Sequence, residues 1–196
     1  MNQSKQDKRK QQILDAALEI IVNKGYEGSS MSDIVEKSKL SKGAIYWYYS
    51  SKKEVYLSLV NHWVFHYSAT LNHIVEYKQS AAVQLKELFN YFIQQYEKNP
   101  TVFKALAEFW SLAGRDTEFK SKFDKVYSEF LLLIEKIIFK GIKDQEFKNV
   151  DTKIAAVSIM VNIESAIWFT LFENHGITPT KYMETITEFI LAGLKK

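Results

Sequence analysis

Residues 30–54 read SMSDIVEKSKLSKGAIYWYYSSKKE. Three helix-start signals fall inside this stretch. Ser30-x-x-Asp33 has the form of a capping box, with Asp a weaker partner than Glu. Ser41 is an N-cap followed by a second short helix to about Tyr48. Ser51-Lys52-Lys53-Glu54 is an S-x-x-E box that opens a third helix. The first two helices are about two turns each and meet at a three- to four-residue turn. Only a compact helical cluster fits such spacing. The second short helix is rich in small and aromatic residues and is flanked by lysines. That is the layout of a helix-turn-helix whose second helix enters a DNA major groove.

Outward from this stretch the pattern stays helical. Ile13, Leu14, Ala17, Leu18, Ile21 and Val22 form one apolar stripe over about 7–24, and Gly25 follows as a C′ glycine. The helix opened at Ser51 runs to about 77. Further helices are expected over about 81–97, from Asn99-Pro100 to about Gly114, over 117–142, from Asp151 to Asn174-His175-Gly176, and from Thr178-Pro179 to about 194. The chain of 196 residues has 7 Gly, 2 Pro and no Cys. Few breakers favour long helices, and the lack of cysteine excludes disulfides, thiolate metal sites and a Cys nucleophile. The expected fold class is all-α, with about nine helices and no strand.

The net charge is +3, from 26 basic and 23 acidic residues. Residues 1–55 hold ten of the basic residues and seven of the acidic ones, so the whole excess lies there. A basic end suits an anionic partner. The start, MNQSKQDKRKQQ, has no apolar h-region and does not read as a signal peptide. Residues 55–75 carry no Lys, Arg, Asp or Glu, but Ser58, Asn61, His62, His66, Ser68, Thr70, Asn72 and His73 interrupt them. A half-buried amphipathic helix fits better than a membrane span. The expectation is a cytoplasmic protein with no membrane partner.

The run Leu40-Ser41-Lys42-Gly43-Ala44-Ile45-Tyr46-Trp47-Tyr48-Tyr49, with Lys52 and Glu54, resembles the signature of the TetR family of bacterial transcriptional regulators. The resemblance extends over about residues 8–60 and includes the apolar stripe over about 7–24 and the Gly25-Tyr26 pair. It implies a helix-turn-helix domain over residues 8–68, with the motif at about 31–50. A ligand-binding and dimerisation domain would follow over 69–196. One departure is Lys39, where the family has Gly; a left-handed residue there would cost about 1 kcal/mol. Lys39 reads equally as a phosphate contact or as a solvated side chain.

The resemblance implies a double-stranded DNA operator as partner. Gly43 and Ala44 lack bulk and let the second helix approach base edges. Lys42 can donate to guanine or phosphate. Tyr46 and Tyr48 match the family's phosphate-contacting ring positions, with a core tyrosine as the bland alternative for Tyr46. Trp47 offers its ring to a thymine methyl or its N–H to phosphate. Lys52 puts a cation and helix N–H groups against one phosphate. Ser30 and Ser32 contact the backbone from the other side of the groove, and Ile45 and Leu40 belong to the core. Lys5, Lys8, Arg9 and Lys10 form either a phosphate-tracking arm or a solvated tail. Arg9 and Arg115 are the two arginines, so bidentate arginine reading from the second short helix is excluded and shape must carry part of the specificity.

In the rest of the chain the resemblance implies a homodimer through the last two helices and a small-molecule effector, hydrophobic or planar. Candidate lining is Phe103, Phe109, Trp110, Phe123, Tyr127, Phe130, Glu164 and Trp168, although aromatics at helical spacing are usually core. The helix 151–175 is apolar nearly all round, so both its sides are expected to be buried. Glu164 sits among its apolar residues. It reads as an ion pair across a dimer interface, as a polar anchor in a ligand pocket, or as a satisfied structural carboxylate. Effector binding would act by population shift, with the helix over 52–77 as lever.

No G-x-G-x-x-G, P-loop, H-E-x-x-H or E-x-x-H occurs, so no catalytic constellation, metal or cofactor is expected. Two alternatives are a ligand sensor without DNA binding and an all-α metalloenzyme using His62, His66 and His73. The intact Lys42-Gly43-Ala44, Tyr46, Tyr48 and Lys52 argue against the first, and a polar helix face explains the histidines.

Overall fold

The computed structural model describes residues 5–76, 79–172 and 176–196; for 63–70, 72, 73, 75 and 76 it describes the helical backbone alone. The architecture is all-α. The order is α1 (Lys5–Lys24), α2 (Met31–Ser38), α3 (Lys42–Tyr48), α4 (Lys52–Glu76), α5 (Ala81–Lys98), α6 (Pro100–Ala113), α7 (Thr117–Lys143), α8 (Thr152–Glu164), a 3-10 turn at Ser165–Ile167, α9 (Trp168–Leu171) and α10 (Pro179–Leu194). Among the described residues there is no strand, and one isolated bridge joins Phe147 to Lys195.

The local chemistry of the caps accounts for the boundaries. Ser30 accepts the Asp33 N–H while the Asp33 carboxylate accepts the Ser30 N–H, a complete capping box. Ser41 accepts the Ala44 N–H at 3.2 Å. Ser51 accepts the Glu54 N–H at 3.2 Å. The Glu54 carboxylate, however, accepts from the N–H and hydroxyl of Ser50, at 2.7 and 2.8 Å. The box therefore closes one residue earlier than the S-x-x-E spacing implies. Lys39 is left-handed, at φ 56°. Its N–H returns to the Glu36 carbonyl, so a side chain bears the strain that Gly would avoid.

The chain forms two compact units. The first takes residues up to Phe65 together with Lys104–Lys122; the second takes His66–Phe103 and Phe123–Lys196. The division at 68/69 expected from the sequence leaves 104–122 with the C-terminal part. Packing draws that segment into the first unit through rings. Phe109 stacks on Phe119 at 6.0 Å, Tyr26 meets Phe119 edge-on at 5.7 Å, and Tyr56 meets both Tyr26 and Phe109. Phe109, Phe119 and Tyr56 are fully buried there. The Lys53 ammonium adds an ion pair to Asp116 at 2.7 Å and another to Glu118 at 3.0 Å.

In the second unit α5, α7, α8 and α10 share an apolar core that includes Leu85, Leu88, Phe89, Ile134, Ile137, Ile138, Ile159 and Met183. The Glu146 carboxylate caps α5 by accepting the N–H groups of Ala81 and Ala82, at 3.1 and 3.2 Å. Phe147 is buried against Gly141, where an added Cβ would lie 2.2 Å from its ring.

The single helix expected over 151–175 is not continuous. It ends at Glu164, passes through the 3-10 turn and resumes for four residues. Ser158, Asn162 and Ser165 all turn back onto carbonyls of their own helix, at 2.9, 2.8 and 2.5 Å. Such back-bonding competes with the regular ladder and bends helices. Nor are both its sides buried. Ala156, Ile159, Ile163, Ala166 and Ile167 face inward, whereas Ile154, Val157, Val161, Trp168 and Leu171 are exposed. By length and composition Thr152–Leu171, with mean hydropathy 1.7, could cross a membrane.

Candidate functional site

The helix-turn-helix is anchored from behind. Ile45 of α3 and Ile34 of α2 are fully buried, as are Ile13 and Ile21 of α1. Leu40, expected in the core, is half-buried. Gln12 donates to the Ser38 carbonyl at 2.7 Å, which ties α1 to the turn. With Ile45 inward, Lys42, Gly43, Tyr46 and Trp47 of the seven-residue α3 face outward, and Ala44 is half-buried. Trp47 is 70% exposed and Tyr46 44%. The bland core reading of Tyr46 is thereby overturned. Nothing lies within 4 Å of where a Cβ on Gly43 would point. The Lys42 ammonium lies 5.7 Å from the centre of the Tyr46 ring. Tyr48 is half-buried and meets Trp47 edge-on at 4.6 Å. Tyr49, given no role from the sequence, is buried beneath this surface.

Ser30 and Ser32 are exposed at the start of α2. The Ser30 hydroxyl is used by the cap, donating to Asp33 at 2.7 Å. Lys24 also donates to Asp33. Its bond and that of Ser30 hold the Asp33 carboxyl at about 2, well below the usual range.

The charges of the first unit sort into two groups. Lys24 pairs with Asp33, Lys37 with Glu19, and Lys53 with Asp116 and Glu118. Lys52 is engaged as well. Its ammonium donates to the Tyr26 carbonyl at 2.6 Å and the Ser29 carbonyl at 2.7 Å, and lies 4.5 Å from the centre of the Tyr26 ring. The side chain that the sequence reading set against a phosphate instead fastens α4 to the α1–α2 connection. The reason is geometric. Gly25, at φ +66°, turns the chain so that two carbonyls converge on the start of α4. Tyr26 is the partner that sequence reasoning missed; the Gly-Tyr pair was visible but its contact 26 residues away was not. Lys39 and Lys42 are exposed and have no carboxylate partner among the described residues. They flank α3.

The effector candidates fall into different places. Phe109 is core of the first unit, and Trp110 is half-buried in that unit. Trp168 is 61% exposed and pairs with Phe172 at 4.3 Å, so it lies on an open face. Phe103 is buried against Tyr96 at 5.2 Å, and Phe130 lies 5.5 Å from Phe92. Phe123, Tyr127 and Glu164 do come together. Phe123 stacks on Tyr127 at 5.9 Å, and the Tyr127 hydroxyl donates to Glu164. Burial pushes the Glu164 carboxyl up to about 7, against the opposing effect of that bond. Of the histidine face, His62 is half-buried, and His66 and His73 lie outside the residues whose side chains are described.

Comparison with known proteins places this geometry. The model of "Bacterial regulatory proteins, tetR family" matches residues 13–59, which run from the middle of α1 to the first turns of α4. The chain is 27% identical over 165 residues to the uncharacterized HTH-type transcriptional regulator YfiR of Bacillus subtilis, covering 82% of this chain and 78% of that protein. The fold matches the transcriptional regulator FadR from Bacillus subtilis, solved in complex with stearoyl-CoA. The TM-score is 0.81 at 20% identity, over 93% of this chain and 98% of that one. It also matches a protein from Saccharomonospora viridis solved in complex with choline, with TM-score 0.85 at 17% identity, over 96% and 98%. The family consists of regulators and not of enzymes. Residues 13–59 thus carry the motif of the tetR family of bacterial transcriptional regulators, and the chain is similar to an HTH-type regulator over most of its length.

Proposed function

We propose that the protein is a ligand-released repressor that binds a palindromic operator as a homodimer. The observation that carries the reading is the outward face of α3. Lys42, Gly43, Ala44, Tyr46 and Trp47 form a narrow surface with small residues at its N-terminal end and rings behind. Small residues permit close approach to base edges, Lys42 supplies a donor, and Trp47 supplies an apolar contact. Tyr48, Ser30, Ser32 and the N–H groups at the start of α4 address phosphates that fix the register. One helix of seven residues reads too few bases for useful affinity, so two copies are required.

The exposed apolar side of α8–α10 supplies the surface for the second copy. Ile154, Val157, Val161 and Phe189 are all large, apolar and exposed. A monomer that left such a surface bare would be exposed to aggregation or membrane association. Tyr182 of α10 is hydrogen-bonded to Asn162 at 3.2 Å, which holds the two helices side by side. Self-association through them accounts for the apolar length of Thr152–Leu171 without a bilayer.

The effector binds the second unit and favours a state in which the two α3 helices no longer match their half-sites. The chain of α4 runs from the first unit into the second and is the natural lever. A coupling of about 1–3 kcal/mol would change operator affinity about 5–150-fold. The relatives solved with stearoyl-CoA and with choline support a small-molecule effector with an apolar portion or a compact head group. Selection of bound duplexes from a random pool tests the reading. Two inverted half-sites should be enriched by the wild type, and their base preference should change in Trp47→Ala. Recovery of no sequence above background would refute it.

A further inference from the structure

We infer that the cleft between α1 and the α2–α3 turn is a phosphate site, in which Lys8 and Lys39 together hold one phosphodiester of the operator backbone beside the groove that α3 enters. The inference rests on the reading of α3 as the DNA-facing helix and deepens it.

An open cleft of about 370 Å³ lies where α1 passes the end of α2. Lys8, Gln11, Asp15 and Glu19 line it from α1, at spacings of three and four residues that put them on one helix face. Lys37, Ser38 and Lys39 close it from the other side. The wall between the two sides is fixed, since Gln12 donates to the carbonyl of the buried Ser38 at 2.7 Å. Both carboxylates of the cleft are engaged. Asp15 accepts from Gln11 at 2.7 Å, and Glu19 pairs with Lys37. Lys8 and Lys39 are exposed, and neither has a carboxylate at ion-pair distance among the described residues. Three lysines therefore face two carboxylates, and the two unpaired cations come from opposite walls.

Two independent features call for an anion there. Lys39 holds φ 56°, a left-handed backbone that glycine adopts freely and lysine does not. What the lysine adds to that turn is a long cationic side chain, three residues before α3 begins at Lys42. The basic start of the chain is also not a free tail: α1 begins at Lys5, so Lys5, Lys8, Arg9 and Lys10 are helical. Cations in a first turn oppose the positive end of the helix dipole, and an anion at that end is stabilised by it. A backbone phosphate is the anion at hand, because the groove that admits α3 is bounded by phosphates on both sides. Lysine suits it as a compact charge with three donors.

The test compares Lys8→Gln, Lys39→Gly and the double variant of the full-length protein, on the selected duplex and on a random-sequence duplex, by anisotropy over roughly 50–200 mM salt. Each single change should weaken both duplexes about five- to tenfold near 0.1 M salt and lower the slope of log K against log salt by about 0.9. Base preference should stay as it is, since a phosphate carries no sequence. The two lysines share one phosphate, so the double variant should bind within about threefold of either single variant. Lys39→Gly should at the same time raise Tm by about 2–4 °C, because the turn loses its strain. Unchanged slopes, in a protein whose base preference still shifts in Trp47→Ala, would overturn the phosphate site and leave the DNA reading intact. Losses that multiply in the double variant would overturn the shared phosphate. An equal loss in Lys104→Gln, an exposed lysine of the same unit outside the cleft, would reduce the effect to net charge and overturn the site. Calorimetry with pyrophosphate and with ATP, without DNA, separates a free ligand from the backbone. Tight binding of either, lost in Lys39→Gly while duplex affinity is unchanged, would give the cleft to a free phosphate compound and overturn the backbone contact. Failure of the wild type to bind either duplex would remove both readings.

Discussion

Lys52→Met is the substitution on which the reading of the DNA-facing surface turns. Methionine keeps most of the aliphatic stem and removes the ammonium. Lost with it are the two bonds to the carbonyls of Tyr26 and Ser29, at 2.6 and 2.7 Å, and the ring contact at 4.5 Å. Hydrogen bonds to a charged group contribute about 1.5–3 kcal/mol each, and an exposed cation–ring contact about 0.5–1 kcal/mol. The lysine is half-buried, and water can replace part of what is lost. The expected destabilisation is therefore about 2–4 kcal/mol, or a fall in Tm of roughly 5–12 °C for a chain of this size. A phosphate contact predicts something different. Removing one would reduce the slope of log K against log salt by about 0.9 and leave stability nearly unchanged. Circular dichroism melts and anisotropy titrations on a random-sequence duplex, over roughly 50–200 mM salt, separate the two. A slope lowered by about one, with Tm within 2 °C of wild type, would refute the fastening role and restore Lys52 to the phosphate backbone.

Three further outcomes follow from the same geometry. Gly43→Ala meets no atom within 4 Å and gains helix propensity, so it should stabilise the protein by about 0.5–1 kcal/mol. The same methyl should weaken operator binding at least severalfold; unchanged binding would show that α3 does not approach bases closely there. Glu164 has its folded carboxyl raised from 4.5 to about 7, with Tyr127 as its partner. The folded state therefore holds the extra proton between those values. Its contribution is fully present below about pH 4.5 and is lost as pH rises through 7, up to about 3 kcal/mol in all. Urea melts from pH 5 to 8 should show this fall in the wild type relative to Glu164→Gln; parallel curves would refute it. Phe189→Glu, at a position 67% exposed, should turn the proposed dimer into monomer in sedimentation velocity and abolish tight operator binding. As a surface change it should alter monomer stability by no more than about 0.5 kcal/mol, and a persistent dimer would remove α10 from the interface.

The helical boundaries were legible because caps are local chemistry. Ser30 with Asp33, Ser41, Ser51, Thr178 with Pro179, and the C′ glycine at Gly25 all act within a few residues of where they stand. Lys39 was legible for the same reason: the turn demands a left-handed residue whatever occupies it. The outward face of α3 followed from one buried position, Ile45, on a helix too short to have a second.

The amino-acid sequence by itself therefore determined an all-α chain, its caps, its helix-turn-helix and the family whose motif it carries. Tertiary structure decided what depends on partners far along the chain. Lys52 as a free cation and Lys52 bonded to Tyr26 and Ser29 are the same residue in sequence; 26 and 23 positions of separation distinguish them. Phe109 reads as pocket lining or, more often for such an aromatic, as core until Phe119 and Tyr56 close on it. The break after Glu164 and the bare face of Val157 and Val161 were hidden because an all-round apolar helix gives no period from which to choose its buried side. Periodicity reports one helix against water; it carries no information on which of two apolar sides another helix covers.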